Sequence, residues 1–166
     1  MADGQLQGTI QASIQTLLEA TTAVENVYIN ALGIPHAPNP QDFISKFIEA
    51  DSSDLQAWFI GRKRSRSETW EAGGRSKIAM RSELWRYHGF QFMGYYSYQT
   101  EASEAEFNAI IDDVLTKFNN ERSISGFQAS PLSLDNMDFR YLGNTYCHVA
   151  DFSLEVIERV TGLEPA

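Results

Sequence analysis

Ile10, Ile14, Leu17 and Leu18 stand at i, i+4, i+7 and i+8, a spacing that gathers them on one helical face and predicts an N-terminal helix ending near Thr21 and Thr22. Val24 to Ile29 then reads as a short strand. Gly33, Pro35, Pro38 and Pro40 break the chain, and Phe43, Phe47 and Ile48 fit one or two helical turns that stop at Asp51, Ser52 and Ser53. Leu55 to Ile60, with Trp58 and Phe59, reads as a strand.

Leu84 to Tyr98 is densely aromatic, with Trp85, Tyr87, Phe90, Phe92, Tyr95, Tyr96 and Tyr98 interrupted by Gly89 and Gly94. Aromatics on both sides of a two-residue alternation predict a central strand, and the glycines mark bends or bulges where another backbone comes close. Strands near 54–62 and 82–98 therefore form one long hairpin interrupted by about twenty residues, far beyond the ~2 to 5 that a hairpin turn needs.

Ser103 with Glu106 three residues later reads as a capping box. It opens a second helix whose buried face is Phe107, Ile110, Ile111, Val114, Leu115 and Phe118. Gly126, Pro131 and their polar neighbours form a connection, and Met137 to Leu142 a short strand before the Gly143-Asn144 turn. From Tyr146 to Val156 apolar residues alternate with Cys147, Asp151, Ser153 and Glu155, the signature of a half-buried strand with one apolar face. The order predicts a single α+β domain over residues 1–166, an antiparallel or mixed sheet with the two longer helices on one face. The other face is then wet or covered by a partner.

Charge adds the one anomaly. The formal net charge is -9, which argues against a general nucleic-acid binder or a polybasic membrane-surface protein. Yet Arg62, Lys63, Arg64, Arg66, Arg75, Lys77 and Arg81 meet only Glu68 and Glu71, so the segment at 61–81 carries about +5 and the remainder about -14. A protruding basic arm on an acidic body is the expectation. Its base reads as a solvated strand end, a nuclear-import-like run, or a contact for something acidic: a neighbouring copy of the same body, with Trp70 as aromatic anchor, or DNA phosphate. Gly73 and Gly74 let the tip bend.

The search for chemistry predicts no cofactor and no catalytic or metal site. Cys147 and His148 are adjacent in a strand and so face opposite ways. A His88/His148 pair lacks the three or four ligands that zinc requires. Asp112 and Asp113 fall on the polar side of the second helix. Asp135 and Asp138 lack calcium-loop spacing, and phosphate-loop, nucleophile-elbow and zinc-helix motifs are absent. The lone cysteine suits a reducing compartment, there is no signal-peptide pattern at the start, and no apolar run reaches the ~18 residues of a membrane span.

Two segments, Trp85 through His88, Phe90, Phe92, Gly94 and Tyr95, and Tyr146-Cys147-His148-Val149-Ala150 leading to Leu154, Val156 and Glu158, resemble tail-terminator or neck proteins of long-tailed bacteriophages. The similarity covers about residues 10 to 160, apart from the arm. It implies a non-catalytic virion subunit forming a homo-oligomeric, hexameric ring that caps the tail tube protein and joins the head connector, with DNA passing through the lumen. The alternative is a small monomeric module whose arm grips nucleic acid or an acidic protein; an enzyme with an unfamiliar site is the third reading.

Overall fold

The aromatic stretch predicted as the central strand is the element on which the other strands assemble. A computed structural model describes residues 3–29, 55–71 and 82–160. In chain order these form α1 (Asp3–Glu19), β1 (Val27–Ile29), β2 (Gln56–Arg62), β3 (Arg66–Glu71), β4 (Ser82–Ser97) and α2 (Ala102–Asn120). The hairpin β5 (Ser123–Ile124) and β6 (Phe127–Ala129), then β7 (Ser133–Leu142) and β8 (Thr145–Val160), complete it. The predicted helical turns at Phe43, Phe47 and Ile48 lie outside the described residues.

All eight strands belong to one mixed sheet, with β1 parallel to β2 and the other pairs antiparallel. β4 is paired along both edges. On one side β8 follows it from Leu84↔Val160 to Ser97↔Cys147. On the other, β2 takes its second half and β3 its first. Half of the predicted arm is therefore sheet, because the polar and β-branched residues from Arg66 to Glu71 find a free edge on β4.

Between the ladders, Lys63, Arg64 and Ser65 stand opposite only His88 and Gly89, a one-residue excess that makes a bulge. A Cβ on Gly89 would lie 3.1 Å from both the Arg64 carbonyl oxygen and Lys63 Cβ, so this glycine serves the predicted close backbone approach. Gly94 answers to a ring instead: a Cβ there would come within 2.8 Å of Trp58, its cross-strand partner.

Both long helices lie on one face of the sheet. Ile10, Ile14 and Leu18 of α1 and Phe107, Ile110, Ile111, Val114 and Phe118 of α2 share a core with Trp58, Ile60, Phe90, Phe92, Phe152, Leu154 and Val156. Leu17 and Leu115 pack at its margin. Phe118 meets Phe92 with ring centroids 5.3 Å apart, and burying such a ring contributes about 2–3 kcal/mol. Gln11, buried within α1, donates to the Ile60 carbonyl (3.0 Å) and accepts from Arg62 Nε (3.2 Å), fixing the helix over the end of β2.

Four expectations are corrected. The capping box does not form. Glu101 occupies the N-cap position without a side-chain cap; Ser103 Oγ bonds the Thr100 carbonyl (2.6 Å) and His148 Nε2 (3.0 Å), and Glu106 accepts from Tyr96 (3.0 Å). Tertiary partners have taken both capping groups.

β8 is buried on both faces from Cys147 to Phe152, because it lies between two long strands. The sheet's second face carries its own apolar cluster of Leu55, Ala57, Phe59, Cys147 and Val149, flanked by Tyr28, Met93, Tyr95 and Leu142. The connection at Gly126 contains the β5/β6 hairpin, turned by Ser125 (φ 54°) and Gly126 (φ 81°), the positive-φ pair that a tight two-residue turn needs. Finally, β7 starts at Ser133 rather than Met137 and shifts register at Asp135.

Candidate interaction surfaces

Three of the four basic side chains at the base of the arm, Arg62, Lys63 and Arg66, are engaged within their own chain. Arg66 lies 4.0 Å over the Tyr87 ring, and its Nε and Nη2 donate to the two carboxylate oxygens of Glu155, each at 3.2 Å. Its Nη1 also reaches Glu68. The Glu155 hydrogen bond, chief among the causes, holds the guanidinium's pKa above its ordinary value. Lys63 Nζ is 3.9 Å from Asp135, and Arg62 donates to Gln11 (3.2 Å) and Gln7 (3.3 Å). Arg64 is exposed and has no partner among the described residues. Trp70 is placed by its backbone in β3, opposite Glu83; Arg75, Lys77 and Arg81 lie outside the described residues.

The candidate chemical groups do not converge. Cys147 belongs to the cluster on the second face, while His148 faces α2, so they point apart as their adjacency predicts. Burial pushes the Cys147 thiol up to about 11, leaving almost no thiolate at neutral pH. His88 and His148 share a face, but His88 stands opposite Val156 and His148 opposite Tyr96, eight residues and about 26 Å apart along the strand.

His88 is buried with Nε2 3.1 Å from Glu158 Oε2, and Arg86 Nη1 is 3.8 Å from the same oxygen. The Ser103 Oγ–His148 contact joins α2 to β8. With the hydroxyl hydrogen directed at the Thr100 carbonyl, it accepts from the imidazole and gains no nucleophilic activation. Desolvation lowers the His148 pKa, opposed by the nearby Glu104 charge. Asp112 and Asp113 are exposed on α2.

The least ordinary surface lies at the opposite edge of the sheet. β7 pairs with β8 along one side, and its Met137, Phe139 and Tyr141 project on the helix face beyond the cover of α2. With Tyr98 and Tyr146 they are the exposed large apolar side chains among the described residues, Tyr141 the most open at 69%. The rings touch one another: Phe139 stacks on Tyr146 (centroids 5.4 Å), Tyr141 lies 5.1 Å from Tyr146, and Tyr98 packs edge-on against Phe139 and Tyr146, each at 6.1 Å. His148 backs them, 4.8 Å from Phe139.

On the strand's other face Arg140 donates to the buried Asp151 carboxylate (Nη2–Oδ2 2.7 Å). Contiguous exposed apolar patches of this kind are uncommon on monomeric proteins. Large apolar residues at 137, 139 and 141 announce a strand face; that the face is bare follows from β7 being the outer strand, which no local pattern records.

Searched against protein-family models and against curated proteins, the chain matches none. Among the described residues no helix is long and apolar enough to cross a membrane, and no three His, Cys, Asp or Glu side chains gather as a metal site.

Proposed function

We propose that the chain is a non-catalytic, self-assembling structural subunit, forming the ring of a long-tailed bacteriophage neck that caps the tail tube and joins it to the head connector. One observation carries the assembly part of this reading: the connected patch of Tyr98, Met137, Phe139, Tyr141 and Tyr146 on an outer strand. Tyr and Phe offer large contact area at a low cost in side-chain ordering, which is why they concentrate at interfaces. The neck assignment rests on the resemblance of the Trp85–Tyr95 and Tyr146–Glu158 segments. The absence of converging chemical groups among the described residues is compatible with a subunit whose work is contact.

At the base of the arm, DNA gripping draws little support from the geometry, since Arg62, Lys63 and Arg66 already have partners within the chain. The test is native mass measurement together with imaging of the protein mixed with tail tubes. Rings of discrete size seated on tube ends are expected. A monomer that persists alone and with tubes overturns the reading.

A further inference from the structure

The outer edge of β7 has a self-complementary sequence. The Tyr98 N–H donates to the Tyr146 carbonyl (2.9 Å), so the backbone polar groups of Tyr146 point towards β4 and away from β7. Tyr141 stands opposite Tyr146. In an antiparallel ladder a residue facing such a position turns its own N–H and C=O outward, as do those two and four residues away. Met137, Phe139 and Tyr141 therefore present their peptide groups at the edge that no described strand pairs, as well as their side chains on the apolar face. Phe139 N–H agrees: it is satisfied by the neighbouring Asp138 side chain (2.7 Å) rather than by β8.

We propose that this edge pairs antiparallel with β7 of a second copy, about a two-fold axis at Phe139. Phe139 then faces Phe139 of the second copy and Met137 faces Tyr141. These are hydrogen-bonded pairs, exchanging the outward N–H and C=O groups. On the opposite face Asp138 meets Arg140 of the second copy, twice by symmetry. Asp138 is exposed and Arg140 half-buried, with side chains 57% and 37% accessible, and each lies in the closer, non-hydrogen-bonded type of position. In the single chain Asp138 Oδ1 caps Phe139 N–H and its Oδ2 lies 3.8 Å from Arg140 Nε of the same chain, whose Nη2 is held by Asp151; pairing gives that N–H a carbonyl and sets the carboxylate beside a second guanidinium.

The register is selective. An axis at Asp138 or at Arg140 sets like charges face to face, which is destabilising. An axis at Phe139 matches both. A bare strand edge is otherwise a template for uncontrolled pairing, whereas an isologous contact closes with two copies. The inference rests on the self-assembly part of the function proposed above, but it uses β7 alone; a larger ring would join such pairs through a second surface.

Cysteine cross-linking of the full chain reads the register. Facing residues in a hydrogen-bonded pair have Cα atoms about 5.5 Å apart, inside the ~4.4–6.8 Å span of a disulfide. Under mild oxidation Phe139→Cys is expected to give a covalent dimer. Met137→Cys alone gives none, because its two copies are offset by four residues, about 13 Å. Mixed Met137→Cys and Tyr141→Cys chains give the heterodimer. The native chain is the control, since Cys147 is buried.

Asp138→Arg is expected to weaken association at least about tenfold in sedimentation velocity, with an unchanged far-ultraviolet spectrum. Equal cross-linking at 137 and 139 overturns the register, and absence of cross-linking at 139 overturns the pairing. A ring with residue 139 uncross-linked sinks the pairing and leaves the neck reading. A cross-linked dimer that never exceeds two copies, even with tail tubes, keeps the pairing and sinks the ring.

Discussion

The arm strand β3 and the strand β7 lie on opposite edges of one sheet and differ in what they have left to offer. β3 starts where the basic run Arg62 to Arg66 ends, yet Arg66 is held by a carboxylate 89 residues away, at Glu155. β7 carries two aspartates, Asp135 and Asp138, and one arginine, Arg140, among large apolar residues and looks unremarkable as text. Its large apolar side chains nevertheless find little cover on the helix face among the described residues. A cluster of charge in a sequence says how much potential is present; the fold decides how much remains unspent.

The sharpest way to break this comparison is at the back of β7. Asp151→Ala takes the buried carboxylate from Arg140 and is expected to cost about 1–3 kcal/mol, the range for a charged hydrogen bond lost with its acceptor. The midpoint of chemical denaturation checks it, and association should weaken as the edge loses its tether. An unchanged midpoint would mean that Arg140 is held by other groups.

A second test concerns pH. The His148 pKa lies below its ordinary value of 6.5 in the folded protein, chiefly because burial disfavours the charged ring. Above 6.5 the imidazole is neutral in both states and contributes no slope. Below it the unfolded chain takes up the proton first, so stability falls with pH until the lowered folded pKa is passed, and then levels off. Thermal unfolding followed from about pH 7.5 to pH 5 should show this fall, reduced in His148→Gln. An identical slope in that variant would assign the effect to carboxylates instead.

The smallest effect is expected at the arm. Neutralising Arg62, Lys63, Arg64 and Arg66 together should lower the unfolding temperature slightly, since exposed pairs contribute little, and leave association through β7 intact. Loss of association with unfolding unchanged would restore the arm as an intersubunit clasp. Salt-sensitive DNA binding that disappears in the variant would restore the alternative of a nucleic-acid grip.

What was legible in the sequence follows from the range of the interactions involved. The helix faces at Ile10–Leu18 and Phe107–Phe118 are local periodicities, and both appear where predicted. So do the central position of the 82–97 strand, the close approach at Gly89 and the opposed directions of Cys147 and His148. The capping box failed because Ser103 and Glu106 were claimed by His148 and Tyr96, residues whose proximity the local motif does not encode. The first half of the arm became β3 because β4 extends beyond β2 and leaves an edge to fill. The aromatic patch was missed for a related reason: alternation at Met137, Phe139 and Tyr141 looks the same in an inner strand as in an outer one.

The β4/β8 ladder has a consequence for how the chain is made. Its partners are 50 residues apart at the near end, Ser97 and Cys147, and 76 at the far end, Leu84 and Val160. During synthesis at about 5–20 residues per second, β4 waits on the order of several seconds before its partner has been translated. During that interval Phe90 and Phe92 lack the strand that will lie beside them, while α2, translated soon after β4, can form as local structure. Closing so long a loop is slow, and α2, whose Phe118 packs on Phe92, is the element placed to shield this face of β4 in the meantime.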